Sequence, residues 1–185
     1  MIVDDIPIIL KDGRNAVLRS PNEQDVDGII DYLRVSAAET DFIIRYPEEC
    51  AKYTRKDESE FLKRVNESEN RVMLVCDVDG KIAGNCEISF DTNLKTKHRA
   101  SVGIALMSEF WNLGIGTAMF TQLIKYAEER KDVIQIELSF VEGNARARCL
   151  YEKMGFRITG VMPNAIRLKD GTLLNEYMMI KELKR

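Results

Sequence analysis

The chain has 185 residues, so one domain is the default and the interior is large enough for a real core. Its composition, 45% hydrophobic and 31% charged, excludes disordered and fibrous classes. A formal net charge of −3 lacks the basic face that binding nucleic-acid phosphates requires, and gives at most a slight bias toward cationic acceptors such as amines. The four cysteines, Cys50, Cys76, Cys86 and Cys149, show no C-x-x-C spacing, and His98 is the sole histidine. No metal site is expected, and the thiols read as reduced and buried. The N-terminus carries no basic, apolar leader, and no apolar run approaches the ~20 residues that span a bilayer. The expectation is a cytoplasmic protein without a membrane partner.

In chain order, residues 16 to 19 read as a short strand. Ser20, Pro21 and Glu23 then fit N-cap, first helical position and N3 of a capping box. Val26, Ile29, Ile30 and Leu33 recur at helical spacing after it. Residues 36 to 56, interrupted by Pro47, read as a short helix or a covering loop. A helix fits 57 to 68 through Phe61, Leu62 and Val65. Strands at 71 to 78 and 81 to 90 are joined by Asp79-Gly80, a type I′ hairpin signal. A strand follows at 100 to 107. A helix over 115 to 130 buries Gly116, Met119, Phe120, Leu123, Ile124 and Ala127. A strand at 133 to 140 precedes a helix at 144 to 154 that ends on Gly155 as its C′ residue. The tail forms two strands around Asp170-Gly171. This order predicts one domain, with a core over about 16 to 182. The fold class is α/β: a mixed, mostly antiparallel sheet with helices on both faces.

Trp111-Asn112-Leu113-Gly114-Ile115-Gly116-Thr117 opens the long helix directly after a strand. Free N–H groups and the positive end of the dipole meet at a helix N-terminus. Glycines there let a pyrophosphate approach the backbone. Taken alone, the same loop serves equally as an ordinary tight strand-to-helix turn.

A second segment runs Asn144-Ala-Arg-Ala-Arg-Cys-Leu-Tyr-Glu-Lys-Met-Gly-Phe156. Together the two segments closely resemble the GNAT N-acetyltransferase superfamily. The first matches that family's Q/R-x-x-G-x-G/A loop, with Trp111 where Gln or Arg is usual. The second matches its more specific Asn-x-x-Ala-x-x-Leu-Tyr-Glu-Lys-x-Gly-Phe signature. The run from Lys169-Asp170-Gly171 to Asn175-Glu176-Tyr177 is similar to the branch containing ribosomal-protein N-terminal and polyamine acetyltransferases.

The resemblance implies acetyl-CoA as co-substrate and an amine acceptor, either a small molecule or a peptide N-terminus, attacking directly in a ternary complex. It implies that Ile104, Ala105 and Leu106 lie on a strand that splays from its neighbour and offers backbone groups to the pantetheine. It implies that Asn112, Leu113, Gly114, Ile115, Gly116 and Thr117 hold the pyrophosphate. Asn144 would contact the pantetheine side, while its position also fits a helix N-cap. Tyr151, protonated at neutral pH, would donate to the departing thiolate. Many relatives carry a glutamate where this chain has Ser101, or another where it has Ser139, and neither serine replaces a carboxylate base. Glu87 is then the preferred base, with Glu137, Glu39 and a chain of waters as alternatives and His98 less suited. Trp111 reads as a lid over the loop. The stretches Glu39-Thr40-Asp41-Phe42 and Tyr46-Pro47-Glu48-Glu49 could line the acceptor site or form a capped, exposed turn. Homodimers occur among relatives. The missing glutamates leave a second reading, a non-catalytic acyl-CoA-binding sensory module.

Overall fold

A computed structural model describes residues 1–184. Eight strands form one sheet: β1 (Ile6–Ile9), β2 (Asn15–Arg19), β3 (Arg71–Val78), β4 (Lys81–Phe90), β5 (Arg99–Leu106), β6 (Gln135–Val141), β7 (Arg157–Arg167) and β8 (Leu173–Glu182). Their order is β1-β2-β3-β4-β5-β6-β8-β7. Every neighbouring pair is antiparallel except β5 and β6. The helices are α1 (Val26–Ala38), α2 (Pro47–Cys50), α3 (Arg55–Glu67), α4 (Ile115–Glu129) and α5 (Ala145–Lys153). The expected α/β class and its mostly antiparallel sheet are thus observed.

The two sheet faces carry different helices. Tyr32 on α1 bonds Asn85 of β4, and Phe61 on α3 lies against Arg71 of β3. On the other face Gly116 of α4 approaches Ile104 of β5, and Phe120 of α4 packs on Tyr151 of α5. Strand β3 lies between these layers, and Val72 to Cys76 are all buried. Such a continuous apolar run marks a strand covered on both faces.

Several local readings need correction. The capping box is displaced by two residues. Ser20 Oγ instead accepts the Val3 N–H at 3.0 Å. Asn22 Oδ1 caps Gln24 N–H at 2.8 Å, and Asp25 returns the bond to Asn22 N–H at 2.7 Å. The cap belongs to a 3-10 turn, Glu23–Asp25, ahead of α1. Both nitrogens of the Arg19 fork hold Asp25 at 2.7 Å. An additional strand, β1, forms one edge of the sheet, where Pro7 is tolerated. Helix α3 starts at Arg55 because Thr54 Oγ1 caps Asp57 N–H at 3.1 Å. Of the cysteines, Cys149 is exposed and the other three are buried.

The Asp79-Gly80 hairpin has φ of 53° and 82°, both positive as a type I′ turn demands. Gly155 sits at φ 88° just past α5. In β4 the pairing with β3 shifts register around Ala83 and Gly84. That extra residue restores one facing: Ile82 meets Gly28 of α1, and Asn85 meets Tyr32 of α1. A Cβ on Gly84 would lie 2.2 Å from the Ala105 carbonyl oxygen, so β4 hugs β5 only because the side chain is absent. Gly84→Ala is therefore expected to destabilise by about 1–3 kcal/mol, the usual cost of overpacking. Thermal unfolding would show it as a drop of at least ~2 °C in Tm, and an unchanged Tm would refute the close approach.

Candidate active site

The parallel pair β5–β6 is short. It joins Arg99 to Gln135, Ala100 to Ile136 and Ser101 to Glu137, and then ends. Beyond it β5 stays on β4 as far as Leu106, while β6 stays on β8 as far as Val141. The strands therefore diverge. The gap holds a cleft of about 240 Å³ lined by Val102 to Leu106 on one side and Ser139 to Val141 on the other.

Backbone direction alternates along a strand. Met107 N–H bonds Ala83 O of β4, so the groups of Ile104 and Leu106 point the other way, into the opening. Leu106 O there accepts from Trp111 Nε1 at 2.8 Å. Ala105 also lines the cleft, but its carbonyl accepts from Tyr32 Oη at 3.0 Å. Of the three expected residues, Ile104 and Leu106 therefore turn backbone to the gap. Burial pushes the Tyr32 hydroxyl pKa well above its ordinary value, so it stays a donor.

The glycine loop follows. Asn112 and Gly114 both take positive φ, 64° and 95°. Gly114 is the N-cap of α4 and brings no side-chain cap. The first helical bond runs from Ala118 N–H to Gly114 O at 3.1 Å, leaving the Ile115, Gly116 and Thr117 amides ahead of it. Gly116 adjoins Leu150 and Ile104, both cleft-lining, so this helix start abuts the gap. Two cations escaped sequence reasoning. The Lys11 backbone N–H donates to Leu113 O at 3.1 Å with its side chain passing close to Gly114, and Lys153 Nζ reaches Thr117 Oγ1 at 3.4 Å. Only the tertiary fold brings Lys11 to this loop. Trp111 lines the cleft beneath the Arg146 guanidinium, 3.6 Å from its ring centroid.

Asn144 and Tyr151 both line the cleft from α5. Asn144 Oδ1 caps Ala147 N–H at 3.1 Å, so the cap reading holds while its amide nitrogen is left to donate. The Tyr151 ring is wedged among Phe120, Phe140 and Phe156, with centroids at 5.3, 6.0 and 6.3 Å. Burial pushes its hydroxyl up to about 12. Among the described residues it makes no side-chain hydrogen bond. It is a fixed, protonated donor facing the opening.

The carboxylates sort differently from expectation. Glu87 is absent from the cleft lining, and its Oε1 accepts from Arg71 Nε at 2.9 Å and Nη2 at 2.6 Å. Its backbone pairs with Gly103, but its side chain is tied to β3. Glu137 is held by the Arg99 guanidinium at 2.5 Å, which also keeps its carboxyl below the usual range. Glu39 closes both oxygens on Ser108 N–H and Oγ at 2.7 Å. His98 is absent from the lining. The carboxylate that does line the cleft is Glu176 of β8, whose Oε1 accepts from Ser139 Oγ at 2.6 Å. Sequence reasoning missed it because it lies on a different strand. The signal available was the serine at 139, which needs an acceptor of its own.

Thr40, Phe42, Ile43 and Ile44 cover the cleft from above. Thr40, Ile43 and Ile44 also line a second cavity of about 260 Å³, walled by Tyr46 and Glu49 and by Ala165 to Leu168 of the β7 end. The covering segment thus borders both cavities.

The profile of the Acetyltransferase (GNAT) family matches residues 36–156. The chain is 30% identical over 108 residues to the L-amino acid N-acetyltransferase AaaT of Escherichia coli (strain K12), covering 58% of this chain and 66% of that protein. The match thus spans just under two thirds of that relative's length. An acetyltransferase of the GNAT family from Streptococcus pneumoniae superposes with a TM-score of 0.83 at 25% identity, over 91% of this chain and 99% of the other. The yncA acetyltransferase of Salmonella typhimurium, solved with its cofactor acetyl-CoA, has the same fold at TM-score 0.77 and 16% identity, over 92% and 95%. The diverging strands, the glycine-opened helix and the 36–156 match lead to one conclusion: the chain belongs to the GNAT family of acetyl-CoA-dependent acetyltransferases.

Proposed function

We propose that the protein moves an acetyl group from acetyl-CoA to a primary amine of a small molecule or a protein N-terminus, by direct attack in a ternary complex. The observation that carries this reading is the β5–β6 divergence with Tyr151 and Glu176 on its walls. Val102 to Leu106 offer the pantetheine a strand edge, and an Ile104 amide can also face the thioester oxygen. The first-turn amides of α4, with Lys11 and Lys153 nearby, suit the pyrophosphate. Asn144 contributes its free amide nitrogen.

In this mechanism the amine nitrogen attacks the thioester carbon and forms a tetrahedral oxyanion. The C–S bond then breaks. Tyr151 gives its proton to the sulfur, and Glu176, reached directly or through Ser139 or water, takes the proton the amine loses. Glu176 assumes the base role first considered for Glu87, whose side chain is engaged by Arg71. A carboxylate on the cleft wall also weighs against a non-catalytic sensor, a reading drawn from the missing glutamates. The name of the E. coli relative supports an amino-acid amine among the acceptors.

CoA and acetyl-CoA, but not ATP, should raise Tm, by the equivalent of about 2.7 kcal/mol at a hundredfold excess over Kd. No shift with either thioester or thiol would sink the reading. Tyr151→Phe should lower kcat at least ~10-fold while leaving Tm nearly unchanged, since the hydroxyl makes no bond to the fold. With the hydroxyl at about 12, the wild-type kcat profile should show no alkaline loss from this proton through pH ~10. Unchanged turnover in the variant would remove Tyr151 from the mechanism. Glu176→Gln keeps an acceptor for Ser139 and should cost ~100-fold in kcat; a loss under threefold would return the base role to water.

A further inference from the structure

The second cavity contains an arginine without a partner. Arg45 lines it, and its Nε is buried with no hydrogen bond. Among the described residues its side chain forms no ion pair or hydrogen bond. Arg45 as a whole is half-buried, but a buried guanidinium nitrogen without a carboxylate or carbonyl to accept its N–H is costly. The acids around it do not resolve this. Glu58, 6% exposed on α3, feels its charge from beyond ion-pair reach, and burial raises the Glu58 carboxyl above its ordinary range. Glu49 Oε2 is taken by Tyr46 N–H at 2.7 Å, and Asp41 stands exposed at the rim. The exposed Arg167 supplies a second guanidinium on the opposite wall.

We infer that this cavity binds the carboxylate of the acceptor, and that the acceptor is a free α-amino acid. The inference rests on the acetyl-transfer reading above and names its substrate class. A planar guanidinium matches a carboxylate with two parallel bonds. Thr40, Ile43 and Ile44 border both cavities, so a carboxylate at Arg45 leaves the adjoining amine directed toward the cleft that holds Tyr151 and Glu176. A neutral or polycationic amine leaves Arg45 unpaired and places like charges together. The far end also favours a short acceptor. Lys169 pairs with Glu48 and lies 4.2 Å from the Tyr46 ring centroid, tying the β7–β8 connection to α2 beside the cavity-lining Tyr46 and Leu168. A peptide continuing past its first residue meets that tie.

The test uses L-leucine, L-glutamate and L-lysine, each beside its α-carboxamide, with a Met-Leu-Gly-Ala peptide as the longer acceptor. Binding is read by calorimetry in the presence of CoA, and turnover by thiol release from acetyl-CoA. At least one free amino acid should bind and turn over better than its carboxamide. Arg45→Gln should weaken that amino acid ~10- to 100-fold, the effect of losing a charge-assisted pair, and leave the carboxamide within threefold. Arg45→Lys should recover only part of the loss, because it keeps the charge without the fork. Equal binding of acids and carboxamides, a preference for the peptide, or an equal loss for both ligand types in Arg45→Gln would overturn the inference. Carboxylate-selective binding without thiol release from any acceptor would instead sink the acetyl-transfer reading and leave the site standing.

Discussion

Three residue pairs between β5 and β6 hold the sheet together, and their early end governs the rest of the molecule. On one side of the break β5 is bound to β4, with Gly84 permitting a contact no side chain could tolerate. On the other, β6 is bound to β8 through seven pairs, enough to hold its course independently. Buried backbone groups require partners. The stretch Val102 to Leu106 therefore presents a strand edge inside the protein, where edges are otherwise covered. Trp111 covers part of it by bonding Leu106 O. What remains is an edge whose free backbone groups match an extended chain carrying amides, which is the ground for the proposed pantetheine contact.

The same divergence explains the chemistry on its walls. Side chains on either bank line a common space, so Tyr151 and Glu176 meet there from segments distant in sequence. Tyr151 is held by three phenylalanines and kept protonated by burial. Its neighbours supply packing only, which leaves its proton uncommitted. Glu176 keeps a partner, Ser139, that can pass a proton without altering charge. The clasp of Glu39 on Ser108 ties the end of α1 to the turn ahead of the glycine loop.

Much of the fold was legible because its signals are local. Asp79-Gly80 demands positive φ twice and received it. The glycine loop and Gly155 likewise declare their own backbone geometry. The capping box was misplaced for a related reason: Ser20 and Asn22 are both competent caps, and the choice fell to Val3 and Arg19, which the local pattern does not contain. The site divides along the same line. Tyr151 and Asn144 lie within one signature and were visible. Lys11 and Glu176 come from segments distant in sequence, and only the tertiary fold brings them to the loop and the cleft.

Glu87 and Glu176 show why residue type at a strand position is a weak guide to a base. Both sit on strands bordering the divergent pair, and both are carboxylates in half-buried surroundings. They differ in what their neighbours do. Arg71 faces Glu87 and is itself stacked on Phe61, so the carboxylate is committed to an ion pair on the α3 face. Glu176 faces a serine hydroxyl, a neutral donor that leaves its charge uncompensated. Residue 139 pairs with Met178 and lies diagonal to Glu176, so a glutamate there would set two like charges close together. The serine at 139 and the glutamate at 176 are thus one hydrogen-bonded arrangement across the β6–β8 ladder, which leaves a carboxylate on the wall of the cleft.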